Sequence, residues 1–255
     1  MAMFCINDLT VTINSELICK KLSFNLEPKN IIGVLGRNGV GKSTLLHTLI
    51  NLHEAQAGNI MLDNKPIQDY PRRALARKIG MLFQESTTEM PATVMETILL
   101  GRHPHRLNYW HDSTTEIAKA ESVLATLDLS RLRNRQLNTL SGGEKQRASL
   151  AALLMQEPSI YLLDEPSNHL DIDFQVRVLD QICDIVAIHQ ASVVMASHDI
   201  NLVSRYCDQI LLLLGNGEYL FGSSASVLTT DNLERAFGCK VHEGIIGQRK
   251  CYIPA

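Results

Sequence analysis

The sequence predicts an α/β fold: a mostly parallel sheet, joined by an antiparallel β portion at the N-terminus and by an inserted helical subdomain. Short apolar segments ending in glycine or a polar residue recur between residues 31 and 215, as is typical of buried parallel strands. Residues 86–156 lack such segments and carry helix-start signals instead. Near the N-terminus, residues 9–13 alternate apolar and polar side chains, as a half-buried strand does.

The predicted strands form two groups. Residues Phe4–Leu26 are predicted to contain further strand, and their alternation favours antiparallel pairing. Five apolar segments are predicted to form the buried sheet, and ligand-binding groups are expected at their carboxyl ends. These segments are Ile31–Gly36, Ile79–Gln84, Ile160–Glu165, Ser192–His198 and Gln209–Gly215.

Two capping boxes predict helix starts inside residues 86–156. Ser113-Thr-Thr-Glu116 precedes apolar residues at helical spacing, and Ser141-Gly-Gly-Glu144 opens a second helix towards Met155. These residues are therefore interpreted as the helical subdomain. The tail, residues 216–255, is predicted to contain a hairpin at Asn216-Gly217 and a short helix near Asp231–Phe237.

Size and charge limit the classes of protein that the chain could be. Its 255 residues fit a single α/β domain, residues 1–255, with an insertion. The formal net charge of −3 leaves no basic excess to hold a polyanion, so we expect no nucleic-acid partner. No apolar run approaches the ~20 residues that span a bilayer, and no secretion signal is expected from residues 1–7.

A glycine-rich loop between a predicted strand and a predicted helix indicates a phosphate site. It fits the pattern G-x-x-x-x-G-K-[ST], in which bent backbone turns N–H groups towards phosphate oxygens, and the helix N-terminus adds positive charge. The lysine would reach the β/γ-phosphates, and the hydroxyl of the next residue would ligate Mg²⁺. The loop consists of Gly36, Arg37, Asn38, Gly39, Val40, Gly41, Lys42, Ser43 and Thr44. A chance glycine turn is the alternative, but the strand–loop–helix context argues against it.

Two carboxylates follow the buried segment Ile160–Leu163. A carboxylate at the end of a buried strand is unfavourable unless it meets a cation or hydrogen-bond donors. Asp164 would hold Mg²⁺, and Glu165 could polarise an attacking water. Acidic residues at strand ends are often turn or cap residues, so this motif depends on the phosphate loop upstream.

A second anion site is predicted at the start of a helix, in the string Leu140–Arg147. Ser141 and Glu144 would form a capping box, which by itself is an ordinary helix start. Gly142 and Gly143 lower helix stability and leave the backbone N–H groups bare, which suits an anion. The economical interpretation is that this helix start meets the γ-phosphate held by another subunit.

With these motifs, the sequence resembles the ATP-binding-cassette (ABC) ATPases along nearly its whole length. Six motifs occur in the family's order, and together they make coincidence negligible. They are the phosphate loop Gly36–Thr44, the Q-loop glutamine Gln84, the signature Leu140–Arg147, the Walker B segment Ile160–Asp164 with Glu165, the D-loop Ser167–Asp171, and the switch histidine His198.

The resemblance implies a mechanism as well as a fold, an ABC-type core with ATP and Mg²⁺ as cofactors. Two copies would sandwich two ATP molecules head to tail, so that each ATP meets one copy's phosphate loop and the other copy's Ser141–Glu144. Glu165 would be the catalytic base, and Lys42 and His198 would contact the γ-phosphate. Ser43, Gln84 and Asp164 would serve the Mg²⁺, and Asp171 would be the acidic residue of the D-loop.

One position departs from the family's pattern. The family usually stacks adenine on an aromatic residue about two dozen residues before the phosphate loop, and spacing places Ile13 or Val11 there. An aliphatic side chain can pack on the base but lacks the aromatic contribution of roughly 1 kcal/mol. Weaker or less base-selective nucleotide binding is the resulting hypothesis.

Two stretches resemble importers of iron–siderophore complexes, haem or cobalamin: Thr93–His105 and the tail from Asn232 to Pro254. One phosphate loop without a membrane-spanning run implies, in this family, separate permease subunits and indirectly a substrate-binding protein. The expected location is peripheral, at the cytoplasmic face of the inner or plasma membrane. Two alternatives stay open, an importer for zinc or manganese and a soluble ABC protein acting on the ribosome or DNA. The segment Glu165–Asp171 resembles the ribosome-acting group.

Overall fold

The computed structural model describes residues 3–84, 91–106, 113–168, 170–247 and 249–255. The strands are β1 Phe4–Ile13, β2 Glu16–Leu26, β3 Ile31–Leu35, β4 Ala57–Leu62, β5 Lys65–Pro66, β6 Ile79–Leu82, β7 Ile160–Asp164, β8 Ser192–Ser197, β9 Gln209–Gly215, β10 Glu218–Ser223, β11 Val241–Ile246 and β12 Arg249–Pro254. The helices are α1 Lys42–Leu49, α2 Arg72–Ala76, α3 Val94–Leu100, α4 Thr114–Thr126, α5 Gly142–Gln156, α6 Ile172–His189, α7 Ile200–Tyr206, α8 Ser224–Val227 and α9 Thr230–Phe237.

The five predicted buried strands lie in a central sheet of six strands, in which β10 is the sixth. Its order is β10-β9-β3-β8-β7-β6, and all neighbouring strands are parallel except β10, which pairs antiparallel with β9. Alternate residues of β3 and β7 enter two different hydrophobic cores, one on each face. Burial on both faces explains why these strands are apolar throughout. The α/β prediction is confirmed, and the carboxyl ends of β3, β8, β7 and β6 lie along one edge.

The N-terminal strands form a second, antiparallel sheet in the order β2-β1-β4-β5. The prediction of antiparallel strand in Phe4–Leu26 is confirmed. Strands β4 and β5 were not predicted, since β4 is exposed over its first half and pairs with β1 far away in sequence, as Phe4 opposite Leu62. Helix α1 packs between this sheet and the central one, with Leu45, Leu46 and Leu49 fully buried.

Helices α3, α4 and α5 pack against one another, and their buried residues belong to the core on the other face of the central sheet. Both predicted capping boxes are present, at Ser113 and at Ser141, and a third caps α3 at Thr93. Residues 86–90 and 107–112, which belong to the predicted helical subdomain, lie outside the described residues. The bounds of that subdomain therefore stay a prediction.

The tail contains the two predicted elements, and it also contains the short helix α8 and a second hairpin. Asn216 and Gly217 have φ of 51° and 82° and form the tight turn between β9 and β10. Helix α9 matches the predicted short helix within one residue. The hairpin of β11 and β12 was not predicted; the Asn201 side chain on α7 exchanges two hydrogen bonds with the main chain of Tyr252 on β12.

Candidate functional site

The glycine-rich loop connects β3 to α1, as its sequence predicts. Lys42 is buried, and its ammonium group donates to Gly36 O at 2.9 Å and to Arg37 O at 3.2 Å. Gly41 precedes the helix with φ of 103°, and a Cβ there would overlap the side chain of Ile18. Glycine at this position therefore satisfies both the backbone conformation and the packing.

The loop opens into a polar cleft of about 580 Å³ at the carboxyl edge of the central sheet. Residues from four separate parts of the sequence line it. They are Asn38, Gly39, Gly41, Lys42, Ser43, Thr44, Gln84, Glu165, Asn168 and His198. The fold thus brings the loop together with Gln84, Glu165 and His198, as the sequence predicts.

Glu165 lies at the centre of this cleft with its carboxylate between two nitrogen groups. Its Oε1 atom is 3.8 Å from Lys42 Nζ, and its Oε2 atom is 2.8 Å from His198 Nδ1. Glu165 is buried, whereas half of the His198 side chain is exposed towards the cleft. A buried carboxylate beside a histidine and a lysine can accept a proton from a water in the cleft.

Asp164 has the features of a cation ligand. The residue is 1% exposed, and its buried Oδ1 atom has no hydrogen-bond partner. Burial raises the pKa of Asp164, although hydrogen bonding from Ser43 and the charges of His47 and Lys42 oppose this shift. Burial likewise lowers the pKa of Lys42, opposed by Glu165 and Asp164. A free carboxylate oxygen beside a hydroxyl fits the oxygen ligands that Mg²⁺ prefers.

The predicted second anion site lies in a different cleft, of about 520 Å³. It is lined by Ser141, Gly142, Gly143, Glu144, Arg147, Leu170, Asp171 and Phe174. Ser141 and Glu144 close the capping box, with Ser141 N donating to Glu144 Oε2 at 2.7 Å, and this bond lowers the pKa of Glu144. One chain therefore does not bring its own signature to its own phosphate loop.

Asp171 lies at the start of α6, in the signature cleft. Its Oδ1 atom accepts a hydrogen bond of 2.9 Å from Phe174 N and so caps the helix. The next residue, Ile172, is 81% exposed. The ring of Phe174 contacts the guanidinium of Arg147, 4.3 Å from the ring centroid, and thereby joins α6 to the signature helix. His169, between the two halves of the D-loop, lies outside the described residues.

Two residues of the site lie inside predicted motifs but were given no role of their own. Asn168, in the D-loop motif, lines the phosphate cleft three residues after Glu165. Gln146, on the signature helix, is buried and donates to Glu165 O at 3.5 Å. A buried glutamine on a helix carries no sequence signal, because its partner is set by packing. Through this hydrogen bond, Gln146 connects the signature helix α5 to the main chain of Glu165 in the phosphate cleft of the same chain.

Several predicted residues are not among those that line the phosphate cleft: Gly36, Arg37, Val40 and Asp164, and the adenine candidates Val11 and Ile13. The Arg37 side chain donates to Ala236 O in the tail. Val11, one of the two candidates for packing against adenine, is 1% exposed. Its side chain lies in the core and is not available to the base. Ile13 is 36% exposed, but it is not among the residues that line the cleft.

Comparison with known proteins places this geometry in a family context. Residues 19–168 match the model of the ABC transporter family. The haemin import ATP-binding protein of Pseudomonas aeruginosa is 36% identical over 244 residues, covering 94% of this chain and 94% of that protein. The cobalamin import ATP-binding protein of Halobacterium salinarum is 31% identical over 239 residues; the match covers 94% of this chain but spans 60% of that relative's length.

A solved structure resembles the whole chain. It is a chain from a metal-chelate type ABC transporter in an inward-facing conformation, with a TM-score of 0.85 and 27% identity. The similarity covers 100% of this chain and 98% of that chain. Among the residues that the structure describes, no helix combines the length and the apolar character that crossing a membrane requires.

Proposed function

The chain belongs to the ABC transporter family, and on that premise we propose that it hydrolyses ATP to drive an importer of a metal chelate, such as an iron–siderophore complex or haem, or of cobalamin. The observation that carries the ATPase part is the Glu165 carboxylate, held between Lys42 and His198 beside the unpartnered oxygen of Asp164. The names of the similar import proteins support the kind of cargo.

The cleft suits transfer of a phosphoryl group to water. Glu165 accepts the proton of the attacking water, and His198 and Lys42 stabilise charge on the γ-phosphate. The main-chain N–H groups of the loop and the N-terminus of α1 hold the other phosphates. Ser43, Gln84 and Asp164 would hold Mg²⁺, which supplies positive charge to the phosphate oxygens when bound.

A second copy of the chain completes the site in this proposal. The exposed helix start at Ser141 offers bare N–H groups to an anion, and its own chain's phosphate loop opens into another cleft. A head-to-tail pair would place each signature opposite the partner's ATP. The exposed side chain of Ile172 beside Asp171 would then be covered by the partner.

The permease is proposed to contact the surface beside Gln84. Three large apolar side chains are exposed in this region or in the segment Thr93–His105: Leu52, Phe83 and Leu100. The segment is held firmly, because Pro104 O accepts hydrogen bonds from Arg73 and Arg77 and His105 bonds to Gln156 O. In this proposal, motion at the Gln84 loop passes through the segment to a membrane-embedded permease, and the chain acts at the cytoplasmic face of the membrane.

Capture of partners by a slow-hydrolysing variant tests the proposal. Tagged Glu165→Gln protein with MgATP is isolated from detergent-solubilised membranes of its source cells, with Lys42→Ala as the control that cannot hold nucleotide. We expect a polytopic membrane protein, and ATPase activity of the wild-type complex stimulated by siderophores, haem or cobalamin. Recovery of ribosomes or DNA-bound factors alone would overturn the importer assignment, and stimulation by a zinc or manganese substrate would overturn the cargo.

A further inference from the structure

The side chain of Arg37 connects the phosphate loop to the tail. Its Nε atom donates a hydrogen bond of 2.8 Å to Ala236 O, in the last turn of α9. Carbonyl groups in the last turn of a helix have no partner inside that helix, and a cation there also faces the negative end of the helix dipole. The contact therefore satisfies a helix end with a residue from the phosphate loop.

The main chain of Arg37 takes part in holding Lys42. Arg37 O accepts a hydrogen bond of 3.2 Å from Lys42 Nζ and another of 3.3 Å from Val40 N. The turn is otherwise exposed, and a Cβ added at Gly39 would meet no atom within 4 Å. Restraining the Arg37 side chain thus restrains the peptide that orients the ammonium group.

The tail fits closely around this contact. Gly238 ends α9 in the left-handed conformation, with φ of 69°, and its N–H donates to Glu234 O at 2.7 Å. A Cβ at Gly238 would overlap Arg37 Nη2. The tail is anchored at its other end by the Asn201 amide, which accepts from Tyr252 N at 2.8 Å and donates to Tyr252 O at 3.1 Å. The carbonyl that receives Arg37 is therefore part of a fixed structure.

From these contacts we propose that the tail positions the phosphate loop, with Arg37 acting as a positioning residue through Ala236 and Gly238 and not through contact with nucleotide. The inference rests on the proposed binding of nucleotide by this loop. It explains why the arginine of a phosphate loop turns away from the cleft. It also assigns a role in nucleotide affinity to a glycine that is two hundred residues from the loop in sequence.

A substitution in the tail tests the inference without altering the loop. Gly238→Ala should displace the guanidinium and raise the Kd for MgADP about two- to tenfold, the range that one hydrogen bond commonly contributes. Gly247→Ala is the matched control: its φ of 65° is nearly the same, and a Cβ there meets no atom within 4 Å. MgADP is the probe because it is not hydrolysed, and calorimetry gives the Kd while a melting curve reports stability.

A double-mutant cycle separates positioning from direct contact. Arg37→Ala should weaken MgADP binding as Gly238→Ala does, and adding Gly238→Ala to Arg37→Ala should change the Kd no further. Weak binding by Arg37→Ala with wild-type binding by Gly238→Ala would mean that Arg37 contacts the nucleotide itself, and the inference would fall. Equal loss in Gly247→Ala and Gly238→Ala would also overturn it. A wild-type protein that does not bind MgADP would instead overturn the proposed function.

Discussion

Glu165 occupies an uncommon backbone conformation for a glutamate, with φ of 49°. Left-handed conformations of residues other than glycine, asparagine and aspartate are unfavourable and persist where the surrounding structure holds them. Here the hydrogen bond from Glu165 N to Ala196 O, on the neighbouring strand, and the contacts with Lys42 and His198 hold the residue. The strain is located where the carboxylate must point into the cleft.

Replacing this carboxylate tests its role as the base. Glu165→Gln should lower ATP turnover about a hundred- to ten-thousandfold, because an amide cannot accept the proton of the attacking water. Nucleotide binding should be retained, since Lys42 is unchanged. The measurement is single-turnover hydrolysis together with calorimetry of ATP binding. Glu157→Gln is the matched control, a second left-handed glutamate with φ of 48° that lies outside the cleft; hydrolysis at the wild-type rate in Glu165→Gln would refute the assignment.

Asp164 makes the stability of the protein depend on pH. Because burial raises its pKa, the folded protein keeps this proton to a higher pH than the unfolded chain does. Ionisation therefore lowers stability as pH rises through that window, and the loss persists at every higher pH. Asp164→Asn removes the charge and should stabilise the nucleotide-free protein by about 1–3 kcal/mol at neutral pH.

Melting curves across pH check this sign. The gain in Asp164→Asn should shrink as the pH falls below the raised pKa of Asp164, because the wild-type carboxyl is then protonated and uncharged in the folded protein. Added Mg²⁺ should raise the melting temperature of the wild type and not of the variant, because the variant lacks the carboxylate. A variant that melts below the wild type at every pH would show that the charge is compensated in the folded protein.

At the level of single elements, α4 and α5 begin with the same device. Ser113 with Glu116 and Ser141 with Glu144 form capping boxes of like geometry, and the second also lines a cleft together with Gly142 and Gly143. Loss of either serine cap should therefore lower stability by the same amount, about 1 kcal/mol. The two helices differ in their proposed function and not in their start.

The pair allows stability and activity to be separated. Ser113→Ala and Ser141→Ala should lower the free energy of unfolding alike, as measured by denaturant titration. Only Ser141→Ala should also lower ATP turnover, because its helix start faces the partner's γ-phosphate in the proposed dimer. Equal turnover in the two variants would mean that Ser141 acts as a helix cap alone.

The elements differ in how well the sequence predicts them. The five strands of the central sheet were predicted because burial on both faces makes them apolar along their whole length. Strand β4 was missed because Ala57, Gly58 and Asn59 are exposed and its pairing with β1 is long-range. Helix α6 was missed although its signals exist: Asp171 caps it, and its buried residues recur at helical spacing.

Within the site, prediction depended on the kind of contact. Local patterns point to Lys42 and Glu165, since each belongs to a short motif that follows a buried strand, whereas His198 was named only through the family resemblance. The side-chain direction of Arg37 and the bond from Gln146 to Glu165 O depend on the tail and on α5, which pack from far away in sequence. No local pattern contains those contacts.

At the scale of the whole molecule, the proposed head-to-tail dimer completes each phosphate cleft with the signature cleft of the other copy. We expect mixtures of two inactive variants to regain activity if the copies pair head to tail. Lys42→Ala impairs the phosphate cleft, and Gly143→Asp places a negative charge at the signature. In a mixed dimer one site combines both defects and the other is intact, so equal amounts should restore about a quarter of the wild-type sites.

The control for this experiment is a mixture of two variants that each impair the phosphate cleft of their own copy. Lys42→Ala with Glu165→Gln leaves no intact site in any dimer and should stay inactive. ATPase activity is measured on reconstituted complexes that contain both variants in equal amounts. Activity in both mixtures would argue against sharing of the clefts, and activity in neither would argue against head-to-tail pairing.

The left-handed backbone at Glu165 has a consequence for inheritance. A single base change converts a glutamate codon to a glycine codon, and glycine adopts φ near 49° without strain. Such an allele would encode a chain that folds, accumulates and pairs with normal copies while lacking the base. In a cell that carries both alleles, most assemblies would contain a defective copy. The mutation should therefore act as a dominant negative, whereas alleles that unfold the chain should be recessive.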